Sequence, residues 1–406
     1  MASLAAWVRT FFGDKAEHHR GSEPVSLEGD HNRFALALHR ELRLIRHNLF
    51  FSPFSIRMAL AMAYAGARGE TAAQMRQALC FGSSDETVHR HFAEITRRFS
   101  AARNGTCYVS IASALWPQEG VTLLPDFVDL IARQYGGNVT AVDFRQPEAA
   151  RLAINGWLEH ETRGKISDLL PPGALSSETR LVLANAVYFK GAWELTFEAT
   201  ETRDEPFYME GGGTVQVPLM YQKAEFRYLQ EPGFQAVSLD FQGGDVSMVV
   251  LLPDTKDGLW DLEARVTATM LQECFRRMVV HEVRLSLPRF KMTCGLEDLG
   301  RELQALGMAI PFDRLRADFS GITGHRAPDE DALFISAVVH KAFVEVNEEG
   351  AEAAAATAVD MDDACAECPP PPVTFRADHP FLFAIRDTGS GAILFLGRVA
   401  DPTIES

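Results

Sequence analysis

The order of helical and strand patterns along the chain predicts an α+β fold with a mostly antiparallel sheet. Helical spacing dominates the first half, and alternating patterns dominate from Phe207 onward. The runs at 381–385 and 393–399 flank the sequence DTGSG at 387–391, which indicates a β-hairpin. Chains that segregate helices and strands in this way form α+β folds. No linker of convincing length divides residues 27–402, so we expect one large domain.

The individual elements follow from their periodicity. The first helix repeats Phe34, Leu38 and Leu42 at four-residue steps, after Asp30 and Asn32, which suit a helix cap. Similar spacing predicts helices over residues 57–66, 71–79, 87–102, 124–135, 147–162, 259–264, 268–277 and 296–306. Alternation, or a short apolar run, predicts strands over residues 108–115, 181–189, 215–220, 226–229, 235–240, 246–252, 281–287, 332–346, 381–385 and 393–399.

Composition and charge exclude several classes of function. The chain has 406 residues, of which 47% are apolar and 23% charged, and this is ordinary for a globular protein. The net charge of −16 disfavours nucleic acid as a partner, because binding phosphates requires Lys and Arg. No run of about 18 apolar residues exists, so we expect no transmembrane segment.

No constellation of catalytic residues is apparent in the sequence. The G-x-S-x-G elbow, the Walker loop and the H-E-x-x-H motif are all missing. Gly389 and Gly391 lie between two predicted strands, where a hairpin turn is favoured over a phosphate loop. The histidine pairs at 18–19 and 89–91 have no further ligands at metal-site spacing. We therefore expect neither an enzyme nor a bound metal or cofactor.

The N-terminal extension, residues 1–25, has two interpretations. Residues 1–12 place Leu4, Trp7 and Phe11 at helical spacing, which suits a short amphipathic helix, and a weakly ordered tail is the alternative. Arg9 interrupts the continuous apolar core that a secretory signal requires. We expect no signal peptide and a cytoplasmic location by default, with release outside the cell as the alternative.

The segment 351–362 decides the functional interpretation. Every second residue from Ala351 to Met361 is uncharged, whereas the intervening positions hold Glu352, Asp360 and Asp362. As a strand, this segment would have one face suited to burial and one suited to water. The prolines at 369–372 and the acidic residues are also typical of an exposed loop, so the segment suits both states. An acidic, alanine-rich surface linker is the alternative.

Two of the six cysteines lie in the same region. Cys365 and Cys368 form a C-x-x-C pair directly before the prolines, which prevent the helix that a redox motif would start. They are either two exposed thiols or a reversible local disulfide. The other four cysteines lie in apolar surroundings, as buried free thiols do.

Several specific stretches occur in order between about residue 27 and residue 402. They are NLFFSPFSI at 48–56, NAVYFKGAW at 185–193, FISAVVHKAF at 334–343, EEGAEAAAAT at 348–357, DHPFLF at 378–383 and FLGR at 395–398. Together they resemble the serpin family. The chain is most similar to the ovalbumin-like, intracellular branch. The resemblance implies a serpin fold as a single domain, residues 26–406, with helices packed around a large, mostly antiparallel central sheet. It also implies further smaller sheets and an exposed reactive loop at about 348–373.

The resemblance further implies a suicide inhibitor. In that family a serine or cysteine protease attacks a bait bond in the loop, and the cleaved loop inserts into the main sheet before the protease can be released. The implied hinge comprises Glu348, Glu349, Gly350, Ala351, Glu352, Ala353, Ala354, Ala355, Ala356 and Thr357, with Gly350 as the pivot. The implied structural switch comprises Ser52, Ser55, Asn185 and His340 beneath the separating strands, with Trp193 and Arg289 near Glu348. We expect a monomer.

The bait bond stays open between alternatives. The usual spacing gives Ala364–Cys365, which suits an elastase-like protease. A loop one residue shorter gives Asp363–Ala364, which suits a caspase-like or granzyme-B-like protease, and counting back from Phe375 gives a less favoured bond near Glu367. A non-inhibitory serpin that acts as a chaperone, carrier or storage protein is the alternative function. The absence of charge at every second residue from Ala351 to Met361 favours inhibition.

Overall fold

The computed structural model of the protein describes residues 27–101, 107–351 and 372–404. Its helices are α1 Leu27–Leu42, α2 Pro53–Gly66, α3 Gly69–Ala78, α4 Asp85–Ala101, α5 Pro125–Tyr135, α6 Pro147–Glu161, α7 Leu259–Arg265, α8 Ala268–Arg277, α9 Gly300–Ala305 and α10 Ser320–Thr323. Short 3₁₀ turns span Ala199–Glu201 and Ile310–Phe312. None of the helices in this part of the chain is long and apolar enough to cross a membrane.

The strands alternate with these helices and dominate the second half. They are β1 Leu49–Phe51, β2 Cys107–Pro117, β3 Asn138–Val139, β4 Leu181–Ala192, β5 Arg203–Tyr208, β6 Thr214–Glu231, β7 Phe234–Asp240, β8 Val246–Pro253, β9 Val279–Pro288, β10 Phe290–Leu296, β11 Ile335–Asn347, β12 Gly350–Ala351, β13 Val373–Arg376, β14 Phe381–Asp387 and β15 Ile393–Val399. The predicted α+β class is confirmed.

The strands form two sheets. The larger has the order β1-β15-β14-β8-β7-β6-β9-β13, with β5 also paired to β6. The smaller has six strands in the order β10-β11-β12-β4-β2-β3, and β11 also pairs directly with β4. Most pairs are antiparallel, as predicted, but three pairs run parallel: β4 with β11, β9 with β13, and β2 with β3. The predicted hairpin is also present, because β14 and β15 pair antiparallel.

The six-stranded sheet is buried on both faces. Along β4, Val187 and Phe189 belong to the main core, whereas Ala186 and Tyr188 belong to a second apolar cluster. This alternation is what successive side chains of a strand produce. The second cluster includes Ile154 and Leu158 of α6, so this helix covers the face that is turned away from the main core.

Local sequence explains where several helices begin. Ser52 caps α2 by accepting a hydrogen bond from the backbone N–H of Ser55, and Pro53 occupies the first turn, where no backbone donor is needed. Proline also begins α5 and α6. Ser52 therefore combines a capping role with its place in the predicted switch.

Some predicted boundaries were wrong. The two strands predicted at 215–220 and 226–229 are one continuous strand, β6. The helix predicted from residue 296 begins at Gly300, because Leu296 ends β10. The sequence carried the signal for that strand: Phe290, Met292, Cys294 and Leu296 alternate with less apolar residues and are buried. Strands β1, β3, β5 and β13 were also missed as separate elements.

Candidate functional site

The candidate site is a gap between β4 and β11 in the six-stranded sheet. These strands pair in parallel from Leu181 and Ile335 as far as Tyr188 and Phe343. Beyond that point they diverge, and β12 lies between them. Ala351 is the register partner of Val346 on one side and of Gly191 on the other, and both pairings are antiparallel. The start of the predicted hinge therefore already occupies the top of the gap.

Only glycine fits at the residue where the chain turns into this gap. Gly350 has a φ of +143°, a conformation that side chains with a Cβ rarely adopt. A Cβ there would lie 2.1 Å from the carbonyl oxygen of Gly191. Ala351 follows with no exposed surface and joins the main core. Ala351, the first of the alternating uncharged positions, is therefore buried on the face of the sheet that packs against the main core.

The backbone of the hinge is held by hydrogen bonds from two sides. The Oδ1 atom of Asn347 accepts from the backbone N–H groups of Glu349 (3.0 Å) and Gly350 (3.2 Å). The indole Nε1 of Trp193 donates to the carbonyl of Asn347 (3.0 Å), and the Trp193 N–H donates to the carbonyl of Glu349 (2.9 Å). Trp193 is fixed in turn by stacking on Phe241, with ring centroids 4.5 Å apart. These hydrogen bonds fix the conformation of the hairpin turn between β11 and β12.

An ion pair anchors the side chain of Glu348. The Nε atom of Arg289 lies 2.7 Å from each carboxylate oxygen, and the hydroxyl of Thr202 donates a short hydrogen bond to one of them. Burial alone would raise the pKa of Glu348, but the hydrogen bonds from Arg289 and Thr202 outweigh it and hold that pKa below its usual value. The carboxylate is therefore charged at neutral pH.

A buried polar cluster lies beneath the closed part of the gap. The Oδ1 atom of Asn185 accepts from the Ser55 hydroxyl (2.7 Å) and from Nδ1 of His340 (2.6 Å). The backbone N–H of Ser52 donates to the other ring nitrogen of His340 (3.1 Å), so the ring proton lies on Nδ1. Ser113 accepts from the Asn185 side-chain amide (2.7 Å). Asn185 of β4 and His340 of β11 thus join the two strands side chain to side chain.

Burial keeps this cluster neutral. Desolvation lowers the pKa of His340 to about 3, because the imidazolium would have no water around it. Every hydrogen bond in the cluster then joins a donor to an acceptor without a net charge. The cluster holds the sheet closed without the cost of burying an ion.

The structure brings the predicted switch residues together but leaves part of the site undescribed. Glu352, Ala353, Ala354, Ala355, Ala356, Thr357, Asp363, Ala364, Cys365, Glu367 and Cys368 lie outside the described residues, as do residues 1–25. The sequence interpretation missed Thr202, Phe241, Asn347 and Ser113. Of these, Ser113 had a visible signal, because it is a polar residue on the same parity as Val109, Ile111 and Leu115.

One group of the described residues has the composition of a metal site. Possible ligand atoms of His325, Asp329 and Asp331 lie within 4.8 Å of one another. The group is largely exposed, and the Nδ1 atom of His325 already bonds to Asp329 at 2.7 Å. We assign no metal to it, because exposed acidic groups of this kind need no ion.

Comparison with known proteins identifies the family. The family profile described as Serpin (serine protease inhibitor) matches residues 30–402. The chain belongs to the serpin family. It is 41% identical to leukocyte elastase inhibitor A of Rattus norvegicus over 364 residues, which cover 87% of this chain and 93% of that protein. This serpin is 34% identical to antithrombin-III of Mus musculus, over 97% of its own length and 87% of the relative's.

Solved structures agree with the sequence relatives. The crystal structure of uncleaved ovalbumin matches with a TM-score of 0.82 and 32% identity, over 93% of this chain and all of that one. The predicted likeness to the ovalbumin-like branch is confirmed. The serpin described here is a protease inhibitor and not an enzyme.

Proposed function

We propose that this serpin traps its target by inserting its cleaved loop between β4 and β11. The observation that carries the proposal is the position of β12, which occupies the top of that gap and pairs antiparallel with both neighbours. A loop freed at its far end can extend this pairing downward. The inserted strand gains ladder hydrogen bonds to both of its neighbours, and one parallel pairing is replaced by two antiparallel ones, which are slightly more stable per residue.

The register of β12 specifies where each loop residue would go. Ala351 faces the main core, so every second residue after it would face the core as well if the loop continued in this register, and these are the uncharged positions. Thr357 would lie opposite both Asn185 and His340. Before insertion, Asn185 and His340 are hydrogen-bonded to each other. Separation of β4 and β11 would break that bond, and the Thr357 hydroxyl could then bond to these side chains in its place. The register that places Gly350 and Ala351 at the top of the gap would therefore also bring Thr357 to the switch residues.

The same register limits where the bait bond can be. The paired parts of β4 and β11 end at Leu181 and Ile335, which lie opposite Met361 and its neighbour on the loop. An insertion strand that fills the gap therefore needs the chain as far as about residue 361, so cleavage must occur after Met361. Ala364–Cys365 and Asp363–Ala364 both satisfy this condition and remain equal alternatives, with Glu367 less favoured.

The partner is a serine or cysteine protease. Ala364 as the bait residue favours an elastase-like enzyme, consistent with the relatives named leukocyte elastase inhibitor. Asp363 favours an Asp-specific enzyme of the caspase or granzyme B type. The inhibitor acts as a monomer, because the gap, the hinge and the switch all belong to one chain.

The test is a panel of elastase-like and Asp-specific proteases. We expect an SDS-stable complex with one class, and sequencing of the released fragment locates the bait bond. Thr357→Arg is the matched variant: a charged side chain opposite Asn185 and His340 blocks insertion, so the protein becomes an ordinary substrate of the same protease. The proposal is wrong if the loop is cleaved but neither a stable complex nor a more stable cleaved form appears.

A further inference from the structure

Resting on the proposed insertion, we propose that Lys165, Tyr188 and Phe343 form a clamp across the gap, and that release of this clamp limits the rate of loop insertion. The clamp lies on the face of the sheet that is turned away from the main core. It is separate from the hinge and from the polar cluster around Asn185. Lys165 acts in it as a positioning residue, because it contacts the strands that must separate.

The two rings form the last cross-strand pair below the gap. Tyr188 of β4 and Phe343 of β11 are register partners, and their ring centroids are 5.6 Å apart. Each of them is 4% exposed. Aromatic pairs at this separation attract each other beyond the effect of burial alone. The pair therefore joins β4 to β11 directly below the hinge.

One cation bridges both rings. The Nζ atom of Lys165 lies 5.8 Å from the Tyr188 centroid and 5.8 Å from the Phe343 centroid. This is within the range of a cation–π interaction. Because the rings belong to different strands, the lysine is attracted to both strands only while they are neighbours.

The segment that carries Lys165 is fixed to the molecule at both ends. The hydroxyl of Thr162 accepts from the backbone N–H of Ile166 (3.2 Å), and the side-chain amide of Asn155 makes two hydrogen bonds of 2.9 Å with the backbone of Leu170. Lys341 of β11 donates to the carbonyl of Ser167 (2.7 Å). The lysine is thus held over the sheet by α6 and by β11 together.

Insertion must break this arrangement. In the register set by β12, Ala354 would lie opposite both Tyr188 and Phe343. An inserted strand moves its two neighbours apart by about one strand spacing, about 4.8 Å. The rings would then be too far apart to share one cation. Alanine at 354 is small enough to lie between them, which accounts for a small residue on the parity that was expected to face water.

The test compares the intact and the loop-cleaved forms of Lys165→Met, which keeps the length of the side chain and removes the charge. Because the clamp exists only before insertion, we expect the melting temperature of the intact form to fall by about 1–3 °C and that of the cleaved form to stay unchanged. Insertion should become about two- to fivefold faster, which is the rate equivalent of one lost cation–π contact. The rate is followed with a synthetic peptide of residues 352–361 by tryptophan fluorescence.

The matched control is Lys256→Met. Lys256, which follows β8, lies over the ring of Tyr208 of β5, 3.0 Å from its centroid, at the larger sheet and away from the gap. We expect this change to lower both melting temperatures equally and to leave the insertion rate unchanged. Phe343→Leu, which keeps an apolar residue at the same place, should behave like Lys165→Met.

Each outcome separates the clamp from the function on which it rests. If cleavage of the unmodified protein gives no more stable form and the peptide never inserts, the proposed function is wrong. If insertion occurs but Lys165→Met and Phe343→Leu both behave like the Lys256 control, the clamp is wrong and the proposed function stands.

Discussion

At the scale of single residues, Gly350 combines a positive φ with close backbone contacts that leave no room for a Cβ. We expect Gly350→Ala to expel β12 from the gap, because its Cβ would overlap the carbonyl oxygen of Gly191. Gly307→Ala is the control: Gly307 also has a positive φ, of +102°, but no atom within 4 Å of the added Cβ. Backbone strain alone should cost the control about 1–3 kcal/mol. Denaturant unfolding should show a clearly larger loss for Gly350→Ala, and an equal loss would contradict the close contact at β12.

His340 gives a pH prediction at the same scale. Burial lowers the pKa of His340 to about 3, whereas the unfolded imidazole titrates near 6.5, so below pH 6.5 the unfolded chain binds a proton that the native protein does not. Native stability should therefore fall as the pH falls from about 6.5 towards 3. His340→Gln should reduce that slope, and His31, which is similarly buried, accounts for part of the rest. Urea titrations across this pH range measure the slope, and an unchanged slope in His340→Gln would contradict the prediction.

At the scale of elements, the hairpin between β11 and β12 depends on the pair formed by Glu348 and Arg289. Glu348→Gln keeps the shape and removes the charge, and we expect a loss of about 1–2 kcal/mol at neutral pH, reduced from a fully buried pair because Arg289 is 43% exposed. Because the folded pKa of Glu348 is lowered, the contribution is present above about pH 4.5 and is lost as the pH falls through the folded pKa. A double-mutant cycle with Arg289→Met measures the coupling, and additive losses would contradict the pair.

At the scale of the whole molecule, the native protein is expected to be metastable. The gap between β4 and β11 is filled only at its top, and insertion of the loop would extend β12 into a full central strand of the six-stranded sheet. Cleavage of the loop should therefore raise the melting temperature strongly, and calorimetry before and after cleavage measures the change. Ala351→Arg is the control, since a buried charge at the first inserted position should remove the rise while cleavage continues.

Much of the fold could be predicted from local periodicity. Most helices and the strands around β4, β7, β8 and β14 were placed within a few residues, because spacing of apolar residues is a property of the sequence alone. Residues 296–299 were misassigned, since a short strand that ends before a helix leaves no distinct boundary in apolar spacing. The residues around Asn185 and His340 were anticipated through family resemblance, because nothing local relates a strand near 185 to one near 340.

The sequence by itself determined the two-sided character of the hinge and the family to which the chain belongs, whereas the requirement for glycine at the pivot follows from the contacts of Gly350 in the structure. Alternation and motif order are written in consecutive residues, so they need no three-dimensional information. Only the tertiary structure decided which groups cover each face of this segment. Ala351 faces the main core, but the opposite face is covered near the gap by Tyr188, Phe343 and Lys165 and is not open water there. The physical reason is that alternation along the chain assigns residues to two faces of a strand, whereas the groups that cover those faces come from segments remote in sequence.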